Sequence, residues 1–294
     1  MKLSSRAKNL INGTLNKFNL ELSTRTASTL ERERVGKLIS DGYFDRAAFP
    51  LLKVFSSFDA GPIIHGYTEH REDCRRLLAA AEDPRHYNPI NNYFSPADAC
   101  PTYLVARIFR PKTWFEIGSG NSTRVVRQAI NDGNLATNLI CIDPYPRVDI
   151  SSVADEVIRS EVQTMPVHSI VDRLNRNDVL FIDSSHELKA GGDVTYLLLN
   201  VIPKLRPGVI VHIHDVFLPY DYPRRWVQEY PTWDEQYLVQ AMLQFGSSLD
   251  VVWPGYYVQR NRPEISPMLD FLTQGSAQSL WLRVADSHAI STTG

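Results

Sequence analysis

Two aspartates and three histidines lie at or just beyond the ends of two short apolar runs. The first run ends at Asp183 and is followed by His186. The second ends at His214 and Asp215, with His212 two residues before His214. An imidazole has an ordinary pKa of about 6.5 and can take the proton of a hydroxyl near neutral pH. Carboxylates and imidazoles can instead hold a divalent cation that makes such a hydroxyl more acidic.

Three roles remain open for this group. One histidine acts as a general base; or Asp183, His214 and Asp215 hold a metal; or the histidines only fix the loop behind the strand through hydrogen bonds. A histidine among the ligands favours a softer metal than magnesium. Because side chains alternate along a strand, His212 and His214 face the same side. The candidate catalytic residues are Asp183, His186, His214 and Asp215.

A loop with two glycines and acidic neighbours is a second candidate site. Gly118 and Gly120 follow an apolar run, and backbone without side chains allows a ligand to approach closely. Asp143 ends the next apolar run, where its carboxylate can accept hydrogen bonds from two ribose hydroxyls. Thr123 takes the place of the third glycine of the dinucleotide motif, which weakens the case for a pyrophosphate ligand. Glu116 beside the glycines suits a cationic ligand, so we predict S-adenosylmethionine.

The elements that position these residues follow an alternating pattern from about residue 96, typical of a parallel sheet wrapped by helices. We predict strands over 113–117, 138–143, 178–183, 208–214, 249–253 and 279–284, with a weaker strand over 161–164. Asp193 is predicted to cap a helix over 196–202, which Pro203 ends. Another is predicted to open with a capping box of Thr232 and Glu235 and to end at Gly246.

Four blocks of sequence carry a family resemblance: FEIGSGNSTRVV, ICIDPYPR, DVLFIDSSHELKAGGDVTYLLLNVIPKLRPGVIVHIHDVFLPYDYP and WDEQYLVQAMLQF. They resemble the class I S-adenosylmethionine-dependent methyltransferases, in a bacterial branch that modifies small molecules and glycans. The resemblance implies an α/β, Rossmann-like fold with a seven-stranded sheet of order 3-2-1-4-5-7-6 and an antiparallel last strand. It implies a methyltransferase domain over 93–294, after an N-terminal, mainly helical extension over 1–92.

The same resemblance implies roles for individual residues. The cofactor-binding residues would be Glu116, Gly118, Ser119, Gly120 and Ser122 on the methionine side and Asp143 at the ribose. Gln163 would lie near the adenine. In the implied sheet the strands that end at Asp183 and His214 are neighbours, and ligands bind beyond the carboxyl ends of such strands. Catechol-type methyltransferases hold a metal at corresponding strand ends.

An acceptor site is predicted from the stretch 216–231, which is rich in aromatic residues and prolines. Such loops stack flat rings on sugars or aromatic substrates, although a packed surface loop has a similar composition. Arg224 and Arg225 would attract an acidic acceptor or would simply be solvated. We expect O-methylation of a sugar, a glycan precursor or another small molecule. The alternatives are a metal-dependent oxygenase or hydroxylase on the same fold and a non-catalytic scaffold that binds the cofactor.

The composition of the chain indicates its class, its compartment and the partners to expect. The 294 residues are 43% hydrophobic and 22% charged, with a net charge of -2, so we expect a folded protein without a nucleic-acid partner. Three widely spaced cysteines and the lack of a long apolar run indicate a cytoplasmic protein.

The first 40 residues carry eight basic and three acidic side chains. An apolar stripe there predicts a basic amphipathic helix, formed by Leu3, Ala7, Leu10, Ile11, Leu15 and Phe18. Through residues 1–37 this helix would contact a membrane surface, form a homo-oligomer or pack on its own domain.

Overall fold

Seven strands form one mixed sheet in a computed structural model that describes residues 5–15, 17 and 27–288. The strands are β1 (Thr113–Ile117), β2 (Asn138–Ile142), β3 (Glu156–Ile158), β4 (Val179–Ile182), β5 (Ile210–Ile213), β6 (Leu249–Pro254) and β7 (Leu280–Val284). Their order is β3-β2-β1-β4-β5-β7-β6, and β7 runs antiparallel to both of its neighbours. The predicted fold class, strand order and antiparallel last strand are confirmed.

The helices before and between the strands cover both faces of this sheet. The α-helices are α1 (Ser5–Leu15), α2 (Ala27–Ser40), α3 (Lys53–Ser56), α4 (Gly61–Glu69), α5 (Arg71–Leu77), α6 (Pro96–Phe109), α7 (Asn121–Gly133), α8 (His168–Val171), α9 (Asp193–Tyr196), α10 (Arg224–Glu229), α11 (Glu235–Phe245) and α12 (Gly255–Asn261). A π-helical turn, Leu197–Val201, continues α9. Among the helices of the described residues, none combines the length and the apolar character that crossing a membrane requires.

Alternation along the strands divides the core into two clusters. One face buries Trp114 and Phe181 together with Tyr67 and Leu77 from the helices before the sheet. The other face buries strand residues such as Ile182 with the helices that follow β4 and β5. Helices from the first 92 residues therefore share a core with the sheet. The boundary near residue 92 stays a prediction.

The register of the strands brings the candidate residues to one edge. The last residues of four strands lie side by side in the ladder: Ile117, Ile142, Ile182 and Ile213. The residues that follow them continue the ladder through the backbone amides of Gly118, Asp143, Asp183 and His214. Because all four strands are parallel, these four residues lie at the same carboxyl edge of the sheet.

Three local predictions were wrong. The weaker strand is β3, which ends before the predicted segment 161–164, and residues 162–164 form a 3-10 turn instead. Asp193 does not cap its helix, because α9 begins at Asp193 itself with Gly192 at the N-cap position, and the Asp193 carboxylate accepts hydrogen bonds from Ser185 at 3.0 and 2.6 Å instead. Thr232 and Glu235 form no capping box, since α11 begins at Glu235 itself.

Candidate active site

A cavity of about 1110 Å³ opens at the carboxyl edge of the sheet. Its walls include most of the predicted site residues: Gly118, Ser119, Asp143, Asp183, His186, His214 and Asp215. A smaller adjoining cavity of about 110 Å³ is lined by Gly120 and Ser122 and shares Ser119 and Asp183 with the first. The glycine loop and the histidine–aspartate group thus face connected spaces.

Position 118 requires glycine because of its backbone conformation and the close approach of another backbone segment. Its φ is +83°, and a Cβ there would lie 2.0 Å from the backbone oxygen of Asp183. Gly120 precedes α7, and a Cβ there would meet no atom within 4 Å. The first glycine therefore lets β1 and β4 approach each other, whereas the second leaves open space beside the cavity.

Asp143 presents its carboxylate to the cavity from the end of β2. One oxygen accepts a hydrogen bond from Ser119 Oγ at 2.7 Å, and the other accepts one from the Tyr145 amide at 2.8 Å. A carboxylate has about four acceptor positions, so further hydrogen bonds can reach this group. Gln163 also lines the cavity and donates a hydrogen bond to Glu161 at 3.1 Å.

Glu116 lies beneath the glycine loop and does not line either cavity. Its carboxylate accepts a hydrogen bond from Thr123 Oγ1 at 2.6 Å, and that oxygen accepts one from the Gly120 amide at 3.0 Å. Burial raises the pKa of Glu116 to about 7. The position of the dinucleotide motif's third glycine thus holds a threonine that links the loop to Glu116. Direct contact between Glu116 and a ligand stays a prediction.

Asp183, His186 and Asp215 form a compact group. Nε2 of His186 lies 3.5 Å from an Asp183 oxygen and 3.3 Å from an Asp215 oxygen. One ligand atom from each residue lies within 4.8 Å of the others, an arrangement that fits a metal ion. His186 occupies the place predicted for His214 in this group. Nδ1 of His214 lies beside the group, 3.2 Å from Asp215 and 3.7 Å from Asp183.

Strained backbone positions two members of this group. His186 and Asp215 have φ values of 60° and 59°, in the left-handed region that residues other than glycine rarely adopt. Such conformations persist where surrounding contacts hold them and are concentrated at functional sites. The two residues follow β4 and β5, so both strand ends turn sharply at the cavity.

Negative charge dominates the electrostatics of the group. Burial opposes protonation of His186, but hydrogen bonds to Asp183 and Glu235 and the charge of Asp215 raise its pKa to about 10. Burial likewise opposes protonation of His214, whose pKa the carboxylates of Asp215 and Asp183 raise well above its usual value. The carboxylates hold protons on both imidazoles, and a cation would be favoured for the same reason.

His212 does not reach the cavity, because it lies within β5 and not at its end. Its ring stacks on Phe181 at 3.7 Å between centroids, and its Nε2 lies 2.9 Å from Ser279 Oγ. It does share a face with His214, as alternation predicts. On that face Asp98, buried in α6, lies 3.7 Å from Nε2 of His214. The sequence signal for Asp98 was an acid within an apolar helical run.

Aromatic side chains form one wall of the cavity. Trp226, Tyr230 and Trp233 line it, and the rings of Tyr230 and Trp233 stack at 4.5 Å between centroids. Arg225 lines it as well and donates a hydrogen bond to Glu229 at 2.6 Å, whereas Arg224 lies outside the cavity; both arginines are exposed. Trp233 lies beyond the predicted acceptor stretch 216–231, because its neighbours Thr232 and Glu235 have the spacing of a capping box.

Comparison with known proteins gives a family match within the chain. Residues 115–216 match the family model described as a methyltransferase domain. No curated protein sequence matches. The SAH-bound crystal structure of the Podospora anserina methyltransferase PaMTH1 is similar at 15% identity and a TM-score of 0.41, over 91% of this chain and 100% of that one. Residues 115–216 thus match a methyltransferase domain, on a sheet with the strand order of the methyltransferase Rossmann-like fold.

Proposed function

We propose that this protein transfers a methyl group from S-adenosylmethionine to a hydroxyl oxygen of a sugar, a glycan precursor or another small molecule. The observation that carries the proposal is a single cavity with the glycine loop and Asp143 in one wall and Asp183, His186 and Asp215 in another. The first wall suits a nucleoside, and the second suits the activation of a hydroxyl.

The cofactor fits the first wall by charge and by hydrogen bonding. S-adenosylmethionine supplies an electrophilic methyl group on a positively charged sulfur. Six acidic side chains line the cavity against three from Lys or Arg: Asp143, Glu161, Asp183, Asp193, Asp215 and Glu229 against Arg147, Lys189 and Arg225. The protonated imidazoles of His186 and His214 bring the positive side chains to five, so an excess of one negative charge remains to attract a cationic ligand. Asp143 keeps acceptor positions for the ribose hydroxyls.

Methyl transfer joins the acceptor oxygen to the methyl carbon, returns the carbon–sulfur electron pair to sulfur and releases the hydroxyl proton. The two roles predicted for a histidine would use the same atom, Nε2 of His186. It would bind a divalent cation together with Asp183 and Asp215, or it would accept the proton. The second role requires a neutral imidazole, whereas the neighbouring carboxylates raise the pKa of His186 to about 10 and keep it protonated near neutral pH. The geometry favours the cation, because both carboxylates lie within 3.5 Å of that nitrogen. A divalent cation lowers the pKa of a hydroxyl beside it, and the proton then passes to water.

The acceptor is expected to lie against the aromatic wall. Tyr230 is 43% exposed and presents a ring at the cavity, where the face of a sugar or of another flat molecule can stack. Trp226 lines the same wall. An acceptor held there would place a hydroxyl between the wall and the three-residue group.

Labelled cofactor, acceptor extracts and metal-stripped protein test this proposal together. We expect S-adenosylhomocysteine to bind in calorimetry, and label from S-adenosylmethionine to enter an acceptor that mass spectrometry then identifies. A chelator should stop the transfer and Mn²⁺ should restore it. Absence of S-adenosylhomocysteine binding would remove the cofactor assignment. Oxygen consumption without methyl transfer would favour an oxygenase, and binding without turnover on any acceptor would favour a scaffold.

A further inference from the structure

We infer that Glu235 is the positioning residue of the candidate cation site. It holds the imidazole of His186 so that Nε2 faces Asp183 and Asp215. The inference rests on the proposed function, in which these three residues bind a divalent cation. It adds a residue from α11, far along the chain, to a site otherwise formed by the ends of β4 and β5.

The direct contact is between two buried groups. An oxygen of Glu235 lies 3.0 Å from Nδ1 of His186, and Glu235 is 1% exposed. A carboxylate only accepts hydrogen bonds, so the proton of that contact belongs to Nδ1. In a neutral imidazole the lone pair then lies on Nε2, the nitrogen that faces the two aspartates. A carboxylate behind a metal-binding histidine fixes the ring in this way and raises its basicity.

The residues around Glu235 hold the backbone of the same loop. The amides of Asp234 and Glu235 lie 3.1 and 3.3 Å from the backbone oxygen of His186. The Leu188 amide donates a hydrogen bond to Asp234 at 2.6 Å. The ring of Trp233 covers the imidazole at 4.2 Å between centroids. Residues 233–235 thus stabilise the left-handed backbone of His186 from several sides.

Helix capping does not account for the burial of Glu235. The N-cap of α11 is Asp234; one oxygen of Glu235 contacts Nδ1 of His186, and its second oxygen has no hydrogen-bond partner among the described residues. A buried carboxylate costs several kcal/mol unless a partner compensates it. Its hydrogen-bonded partner is His186, so the contact with the imidazole explains why an acid is buried here.

The test is the affinity of the metal-stripped, full-length protein for Mn²⁺, measured by calorimetry. Glu235→Ala removes the acceptor, and we expect the Kd for Mn²⁺ to rise about 10- to 100-fold. Glu235→Gln keeps an oxygen that can accept from Nδ1 but loses the charge, so a smaller rise of about three- to tenfold is expected. Glu187→Gln is the matched control, because it removes a neighbouring carboxylate whose hydrogen bonds go to Thr232 and Lys189.

Binding of S-adenosylhomocysteine reports whether each variant is folded and should be unchanged in all three. Equal Mn²⁺ affinity in the wild type and in both Glu235 variants would overturn the inference and leave the proposed cation site intact. A wild type that binds S-adenosylhomocysteine but no Mn²⁺ would overturn both. If Glu235→Ala fails to fold, Glu235→Gln decides: a rise of about threefold or more supports the inference, and an unchanged Kd overturns it.

Discussion

Asp143 is the residue through which the cofactor assignment is tested most directly. Ser119 and Tyr145 hold its carboxylate at the cavity, so its orientation does not depend on a ligand. Hydrogen bonds to a charged group contribute about 1.5–3 kcal/mol. We expect Asp143→Ala to raise the Kd for S-adenosylhomocysteine roughly 10- to 100-fold, as measured by calorimetry.

Asp149 provides the control for that variant. It also accepts a hydrogen bond from the amide two residues on, Ser151, at 2.9 Å, but it lies outside the cavity. Asp149→Ala should therefore leave the affinity unchanged. Equal affinities of the two variants would mean that Asp143 does not contact the ribose.

Glu116 gives the stability of the protein a pH dependence. Burial raises its pKa from 4.5 to about 7. Because the folded-state value is the higher one, the folded chain binds this proton more tightly than the unfolded chain does. The stabilisation is complete below about pH 4.5 and is lost as the pH rises through 7. A shift of this size corresponds to about 3 kcal/mol.

Replacing Glu116 by glutamine isolates this effect. The amide oxygen can accept the hydrogen bond from Thr123 without a charge. Between pH 4.5 and 8, the unfolding free energy of the wild type should fall by about 3 kcal/mol relative to that of Glu116→Gln. Urea denaturation of both proteins across this pH range measures the difference between their unfolding free energies. Titrations of groups that both proteins share cancel in this difference. Parallel pH profiles would show that Glu116 keeps an ordinary pKa in the folded protein.

At the scale of the elements, the strands that have a clear local pattern of apolar residues could be predicted from the sequence. Apolar runs located β1 and the ends of β2, β4 and β5 to within one or two residues, because a buried strand must be apolar along its length. The strand β3 has three residues and lies at an edge of the sheet, so its pattern is too short to recognise.

Long-range contacts were outside the reach of local pattern. Thr232 and Glu235 have the spacing of a capping box, yet the Glu235 carboxylate bonds to His186, 49 residues earlier. Thr232 bonds to Glu187. The compact group contains His186 and not the predicted His214, for a related reason. The backbone of His186 is left-handed, and the residue type gives no sign of this, because residues other than glycine rarely adopt that conformation. Spacing suggested the residue types of the site, and tertiary contacts determine how they are arranged.

The segment from α10 to Trp233 carries the prediction at this scale. Tyr230 follows α10, lines the cavity and stacks on Trp233, and it is not part of the strand ends that carry the glycine loop and Asp143, so it should affect the acceptor and not the cofactor. We expect Tyr230→Ala to lower kcat/KM for the acceptor about tenfold, since a stacked ring contributes about 0.5–1.5 kcal/mol beyond the area it buries. The Kd for S-adenosylhomocysteine should be unchanged.

Tyr237 is the matched control for this variant, because it is 41% exposed against 43% for Tyr230 and lies outside the cavity. Tyr237→Ala should keep the kcat/KM of the wild type. A loss of similar size in both variants would point to a general effect on folding and would remove Tyr230 from the acceptor site.

At the scale of the whole molecule, the helices of the first 92 residues differ in how far their apolar side chains are buried. Those from α3 onward bury side chains such as Phe55, Ile63 and Leu77 against the sheet. In α1, by contrast, Leu10 is 80% exposed and Ile11 is 37% exposed. Leu3 and Phe18, the ends of the predicted stripe, lie outside the described residues. The exposed Leu10 is at odds with packing on the same domain and keeps a membrane surface and a second copy as the alternatives.

Deletion of residues 1–26 tests whether α1 contacts a membrane surface or a second copy without taking part in catalysis. The candidate site residues all lie beyond residue 92, so the Kd for S-adenosylhomocysteine should be unchanged, and the melting temperature should stay within about 2 °C because the exposed side chains of α1 add little to the core. Light scattering of both proteins tests for an oligomer, and sedimentation with anionic vesicles tests for a membrane partner. A large fall in melting temperature at unchanged mass would instead assign α1 to the core of its own chain.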